Sequence, residues 1–222
     1  MMRTTLLVCS AGLIVFLAAL CVAPALEATP VEEGYVSIFN GKNLDGWIER
    51  GSKGGYVAKD GVLVCTEHGR FLFTEKQYAD FSFKFEFKLT PGANNGVAIR
   101  APLDGNPAYD GMEIQILDDY HPRYRGRLRP TQYHGSIYDV WPARRGFLRE
   151  AGEWNEQEII CRGPRIKVIL NGAVIVDADL TKVTDPAVLK KHPGLRRKQG
   201  HLGFFGHGAH VEFRNLRVKE FK

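Results

Sequence analysis

In the run Met112, Glu113, Ile114, Gln115, Ile116, Leu117, polar and apolar residues alternate up to the final pair. A period of two is that of a β-strand, whose successive side chains point to opposite faces. Glu113 and Gln115 therefore share an open face, while Met112, Ile114 and Ile116 pack inward. The same rule groups Arg100 with Gly96 and Ala98, and His134 with Ser136 and Tyr138. If these strands are neighbours, one concave patch holds Arg100, Glu113, Gln115, His134 and Tyr138, a mixture suited to a polyhydroxylated ligand. Such a patch can supply a general base, a stabiliser of developing negative charge and a proton donor.

Each residue also has a structural reading: a cross-strand ion pair for Glu113 with Arg100, a turn cap for His134, and a tight-turn position for His207 between Gly206 and Gly208. Asp118 and Asp119, with His121 or His134, offer donors to a divalent cation, although an Asp-Asp-Tyr-His run equally ends a strand. Hard cations want six or more oxygens and zinc a tidier set. No cofactor is expected, and Asp118 is the residue at which a divalent cation is to be tested. Trp141, in a basic loop, is the better platform for stacking on a sugar ring; Trp47 and Trp154, flanked by turn glycines, read as core. A glycosidase working through two carboxylates needs a paired couple, and alternation gives Glu113 no partner, since Glu86 and Glu212 read as solvent-facing strand residues.

The elements that must position these residues are strands. Phe81, Phe83, Phe85 and Phe87 alternate with Ser82, Lys84, Glu86 and Lys88, so one face there is core. The signature recurs over residues 165–170 and 211–218, with Asn171 and Gly172 reading as a hairpin turn. Further short strands are expected over 35–39, 56–59, 62–65, 71–73, 96–100, 136–140, 156–162, 174–179 and 200–205. Helical periodicity is nearly absent; one short helix is expected where Thr184 and Asp185 precede Pro186. The fold class is therefore all-β, a two-sheet antiparallel β-sandwich, with function expected in the irregular stretches 101–110, 119–133 and 141–154.

The chain has 222 residues and a formal net charge of +5. Arg3 followed by the apolar run from Leu6 to Val22 and by Ala23, Pro24 and Ala25 reads as a secretory signal peptide over residues 1–25, cleaved after Ala25. The run falls short of the roughly 20 apolar residues of a comfortable membrane span, so no stable membrane insertion is expected after cleavage. Lipidation at Cys21 is the lesser alternative, because Leu20 stands where such signals want a small residue. The expected location is secreted or periplasmic, with one domain over residues 31–222. The positive charges sit in loops, at Arg123, Arg125, Arg127, Arg129, Arg144, Arg145 and Arg149, and no RNA-reading motif accompanies them, which argues against nucleic acid as partner. Cys65 and Cys161 leave open whether a disulfide joins them, and nothing in the chain signals an oligomeric state.

The ordered motifs Phe39–Asn40–Gly41–Lys42–Asn43–Leu44–Asp45–Gly46–Trp47, Asn94–Asn95–Gly96, Gly111–Met112–Glu113–Ile114–Gln115, His134–Gly135–Ser136–Ile137–Tyr138, Gly152–Glu153–Trp154–Asn155 and Gly200–His201–Leu202–Gly203–Phe204–Phe205–Gly206–His207–Gly208 run through nearly the whole remaining chain. In this order they resemble the 3-keto-disaccharide hydrolase domain family. The resemblance implies a concanavalin-like jelly roll and an exported enzyme acting on small carbohydrates already oxidised at carbon 3. A ketone there acidifies the proton on carbon 2, so elimination of the aglycone from carbon 1, followed by hydration, amounts to hydrolysis. On that reading His134 or Glu113 is the base, Arg100 the charge stabiliser, and Tyr138 an acid or hydrogen-bond donor. Gln115, His207, Trp141 and Asn95 bind substrate. The chain departs from the family at Phe205 and Gly206, where a polar Gln and Asp-like pair is common. A noncatalytic carbohydrate-binding module on the same sandwich is the rival reading.

Overall fold

The computed structural model describes residues 32–222. The expected signal peptide and Cys21 lie outside those residues. In chain order the strands are β1 (Val36–Ser37), β2 (Trp47–Arg50), β3 (Tyr56–Lys59), β4 (Val62–Cys65), β5 (Phe71–Tyr78), β6 (Phe81–Leu89), β7 (Asn94–Ala101), β8 (Met112–Leu117), β9 (Trp154–Arg162), β10 (Arg165–Leu170), β11 (Ala173–Asp179), β12 (Gly200–Gly206) and β13 (Val211–Glu220). Two helices are short: α1 (Pro107–Asp110) and α2 (Pro186–Lys191).

The strands form two sheets, one of eight strands in the order β11-β10-β9-β6-β13-β4-β3 with β1 also on β13, and one of five in the order β2-β5-β12-β7-β8. The register pairs are antiparallel. This is the all-β two-sheet sandwich that the alternation predicts and the jelly roll that the resemblance implies.

The phenylalanine alternation on β6 does what its period requires. Phe81, Phe83, Phe85 and Phe87 are fully buried, and across the sandwich Phe204 of β12 stacks on Phe213 of β13 at 4.0 Å and meets Phe85 edge-on at 6.0 Å. Burying such a ring is worth about 2–3 kcal/mol each, which makes this seam the main adhesive between the sheets. The intervening residues of β6 face outward into an ionic ladder that includes Lys88 with Glu212 (2.7 Å) and Glu86 with Arg214 (2.7 Å). Trp154 belongs to that outer surface and not to the core: its ring lies under the Arg214 guanidinium at 4.0 Å and the Lys88 ammonium at 4.9 Å. Trp47 is in the core as expected.

Asn171 and Gly172 take φ of 49° and 83°, the left-handed pair that a two-residue hairpin needs. Asp185 caps α2 by accepting the Ala187 N–H at 2.8 Å. One expected strand is absent and one unexpected strand is present. Residues 136–140 form no strand beyond the isolated bridges of Ile137 to Ile114 and Trp141, because Gly135 and Asp139 both take positive φ and break the pleat on either side. Trp47–Arg50, too short to show a period, is a strand.

Cys65 and Cys161 are both free. They lie on β4 and β9, which are separated in the sheet by β13 and β6. Three interstrand steps of about 4.8 Å exceed the ~7 Å Cα limit of a disulfide. Burial pushes the Cys161 thiol up to about 12, which leaves it inert.

Candidate active site

The residues that alternation placed on β8 stand where it put them. Met112, Ile114 and Ile116 enter the core, and Glu113 and Gln115 turn to the outer face of the five-stranded sheet, opposite Ala98 and Gly96 of β7. A Cβ on Gly96 would strike the Glu113 carboxylate, whose Cδ is 2.7 Å from that position. A side chain there would displace the glutamate, so this glycine is a requirement of the site. On its other side β8 is edged by the irregular segment 133–138. Gln115 N donates to Ser136 O (3.0 Å), Gly135 N to Gln115 O (2.8 Å) and Tyr138 N to Glu113 O (2.9 Å).

These contacts set the functional side chains. Glu113 is 5% exposed, and its carboxylate has no hydrogen bond to another described residue; the His207 imidazole approaches it, with Nε2 3.8 Å from Oε1. Gln115 donates through Nε2 to Gln132 O (3.3 Å), while its buried Oε1 has no partner among the described residues. The Tyr138 hydroxyl accepts from Gln132 Nε2 at 3.3 Å, so its own proton is free to be donated. Burial, reinforced by Asp139, raises the Tyr138 phenol above its usual range and keeps it protonated. Buried polar groups normally find partners; an unpaired acceptor beside an unbonded carboxylate marks a surface shaped for donors from outside, such as sugar hydroxyls.

Other expected members are elsewhere. His134 points into the sandwich: its ring stacks on Phe87 at 5.1 Å, Nε2 meets Gln157 Oε1 at 3.1 Å and Nδ1 accepts the Leu117 N–H at 3.2 Å. Burial drives its pKa down to about 3. With Nδ1 an acceptor, Nε2 carries the proton given to Gln157, and no lone pair is left for a substrate. The parity argument fails because Gly135, at φ 79°, reverses the face between His134 and the residues that follow. Arg100, at φ 48°, also leaves the alternation. Its guanidinium donates to Ala79 O (2.9 Å), Gly163 O (2.8 Å) and Arg197 O (3.3 Å) and pairs with Asp80 (2.9 Å). It ties four chain segments together and does not meet Glu113.

Asn95 faces the opposite way from Glu113, since it pairs with the core residue Ile116; it lies beside Tyr56 and Cys65. Trp141 is half-buried against the core and is not an exposed platform. Asp118 accepts from Gly92 N (2.8 Å) and Tyr120 N (3.2 Å), and the His121 ring nitrogen accepts from Arg123 N (3.3 Å). Among the described residues no group of three or more His, Cys, Asp or Glu is arranged to hold a metal.

Phe205 and Gly206 have a local explanation. Phe205 meets Phe71 (5.6 Å) and Phe73 (6.1 Å) edge-on, within an apolar cluster that includes Ala98 and Ala101 and has Leu103 and Ala108 packed against it. A Cβ on Gly206 would collide with the Gly69 carbonyl and lie 2.8 Å from Cys65 Sγ, so no side chain fits there. His201 is the residue that sequence reasoning passed over. It sits against Phe73 with Nδ1 2.7 Å from Thr74 O; a carbonyl only accepts, so Nδ1 is the donor. Period two along β12, from Phe205 back through Gly203, was the available signal.

Fold and site together define a jelly-roll sandwich carrying a carboxylate-centred polar patch on its five-stranded sheet. Residues 34–219 match the family model of the 3-keto-alpha-glucoside-1,2-lyase-like domain. The chain belongs to that family. It is similar to a 3-keto-disaccharide hydrolase of Bacteroides thetaiotaomicron, 29% identical across 86% of this chain and 80% of that protein. A solved structure of a candidate glycosyl hydrolase from Parabacteroides distasonis is 28% identical with a TM-score of 0.74, covering 84% of this chain and 99% of the other. A carbohydrate binding module, CBM66 from Bacillus subtilis, is 13% identical with a TM-score of 0.52, covering 79% and 96%, and shares the fold alone.

Proposed function

We propose that this protein is an exported carbohydrate-active enzyme that cleaves the glycosidic bond of 3-keto glycosides. The observation that carries the reading is Glu113: a nearly buried carboxylate without a hydrogen bond to other described residues, flanked by the unpaired Oε1 of Gln115 and by the free proton of Tyr138. Glu113 takes the proton from carbon 2, which the neighbouring ketone acidifies. The electron pair forms the carbon 1–carbon 2 double bond as the aglycone leaves. Tyr138 or His207 donates to the oxygen that gains charge, and water then adds across the double bond, returning a 3-keto sugar. With His134 and Arg100 facing away from this surface, Glu113 is the base and Tyr138 and His207 are the remaining donors. Gln115 Oε1 accepts a sugar hydroxyl.

Family membership and the curated relative support the substrate class; Arg3, the apolar run and Ala23 to Ala25 support export. Incubation of the purified domain with a 3-keto disaccharide and with its unoxidised parent tests the reaction. Sugar release from the keto form alone supports elimination, whereas sugar binding without release from either moves the protein to the binding-module reading. N-terminal sequencing of the exported protein, expected to begin at Leu26, tests the signal peptide.

A further inference from the structure

Two segments beside the candidate site are basic and lack any acid. Residues 120–138 contain Arg123, Arg125, Arg127 and Arg129 and no Asp or Glu; residues 186–211 contain five lysines and arginines between Lys190 and Lys198 and again no acid. The segments meet at Asp139, whose carboxylate pairs with Arg129 at 2.6 Å and with Lys191 at 2.7 Å. That single acid accounts for both contacts. Arg123, Arg125, Arg127, Lys190, Arg196 and Lys198 are exposed and have no carboxylate within ion-pair distance among the described residues.

The arginine segment is an ordered strap. Tyr124 N donates to His121 O (3.0 Å), Arg127 N to Tyr124 O (3.1 Å), and the Tyr124 hydroxyl anchors the turns to Gly92 O (3.1 Å). It runs directly into Gln132, which touches both Gln115 and Tyr138, and Asp139 is the residue after Tyr138. Through Gln132 and Asp139 the strap is therefore continuous with the patch that holds Glu113. Clustered like charges repel one another, and a strap of this kind raises the local concentration of anions. A neutral disaccharide gains nothing from it.

We propose that the physiological ligand of this site is an anionic carbohydrate, a glycoside or glycan bearing sulfate or carboxylate groups, held by the strap Arg123, Arg125 and Arg127. This rests on the carbohydrate reading above and names its substrate class. Calorimetry on the purified protein, with a chondroitin sulfate hexasaccharide, an oligogalacturonate, maltohexaose and a short DNA duplex, tests it. The expected result is binding of a charged glycan, with the oligogalacturonate, which carries carboxylates alone, showing whether carboxylate suffices or the sulfate of chondroitin sulfate is needed, and with maltohexaose weaker by about tenfold or more. Affinity for the charged glycan falls by about tenfold from low to physiological salt, as contacts between fixed charges require. The variant R123A/R125A/R127A weakens binding about tenfold while its thermal midpoint is unchanged; should it fold poorly, Arg125→Gln and Arg127→Gln singly each weaken binding by about two- to fivefold.

Equal affinity for maltohexaose, unchanged affinity in these variants, or equally tight DNA, which marks an unselective polyanion surface, each overturns the proposal. Turnover of a neutral 3-keto disaccharide is measured in parallel. Turnover without charged-glycan binding ends this inference and leaves the enzyme reading intact; charged-glycan binding without turnover of any keto substrate does the reverse.

Discussion

Replacing His134 by glutamine is expected to narrow the stability gap to wild type as the pH falls. The imidazole is enclosed by Phe87, Gln157 and the Leu117 amide and is driven from an ordinary 6.5 to about 3 by burial. Its folded-state pKa is depressed, so the unfolded chain binds the proton first. The neutral ring's contribution is fully present above pH 6.5 and is lost as pH falls toward 3, at about 1.4 kcal/mol per pH unit. Between pH 7 and pH 5 that amounts to about 2 kcal/mol. Asp119 works in the other direction: burial raises its carboxyl from 3.8 to about 6, so its ionisation weakens the fold above that pH and the burden lifts on acidification. The wild-type profile mixes the two, whereas the difference between wild type and His134→Gln isolates the histidine. Urea unfolding at pH 7 and pH 5 is the assay, with the gap shrinking by about 2 kcal/mol at pH 5. A gap independent of pH means that the imidazole titrates as it does in the unfolded chain, is reached by solvent, and is again a candidate base.

Glu113→Gln is expected to lower kcat/KM on a 3-keto disaccharide by about 10²–10⁴-fold with little change in the urea midpoint; activity within a few-fold of wild type removes Glu113 as the base. Tyr138→Phe, which deletes the free hydroxyl proton beside it, is expected to cost about tenfold or more in kcat with a smaller change in KM. Arg100→Met unties four chain segments and strands Asp80; because Asp80 is partly exposed, the expected loss is about 3 kcal/mol, the low end for a broken buried pair. Lost turnover with full stability would instead return Arg100 to the site. Gly206→Ala forces a Cβ onto the Gly69 carbonyl and is expected to cost about 1–3 kcal/mol, read from the shift in thermal midpoint.

Period-two alternation was legible in Phe81–Leu89 and Met112–Leu117, because a strand with one buried face must write its burial into every second residue. From it came the two-sheet architecture, the inward Phe83, Phe85 and Phe87, and the outward Glu113 and Gln115. Asn171–Gly172 and Asp185–Pro186 were legible for an equally local reason, since positive φ and helix capping depend on one or two residues. What only the tertiary structure decided begins where parity breaks. Positive φ at Gly135 and Arg100 turns His134 into the core and Arg100 into a clamp, and no periodic rule carries a face through such a residue. His207 comes within 3.8 Å of Glu113 from far along the chain, and His201 comes to lie against Phe73, because β12 is inserted between β5 and β7. Strand order is a long-range choice that local alternation does not encode. The type of side chain available for chemistry was thus set residue by residue, and which of them share a surface was set by backbone reversals and by strand insertion.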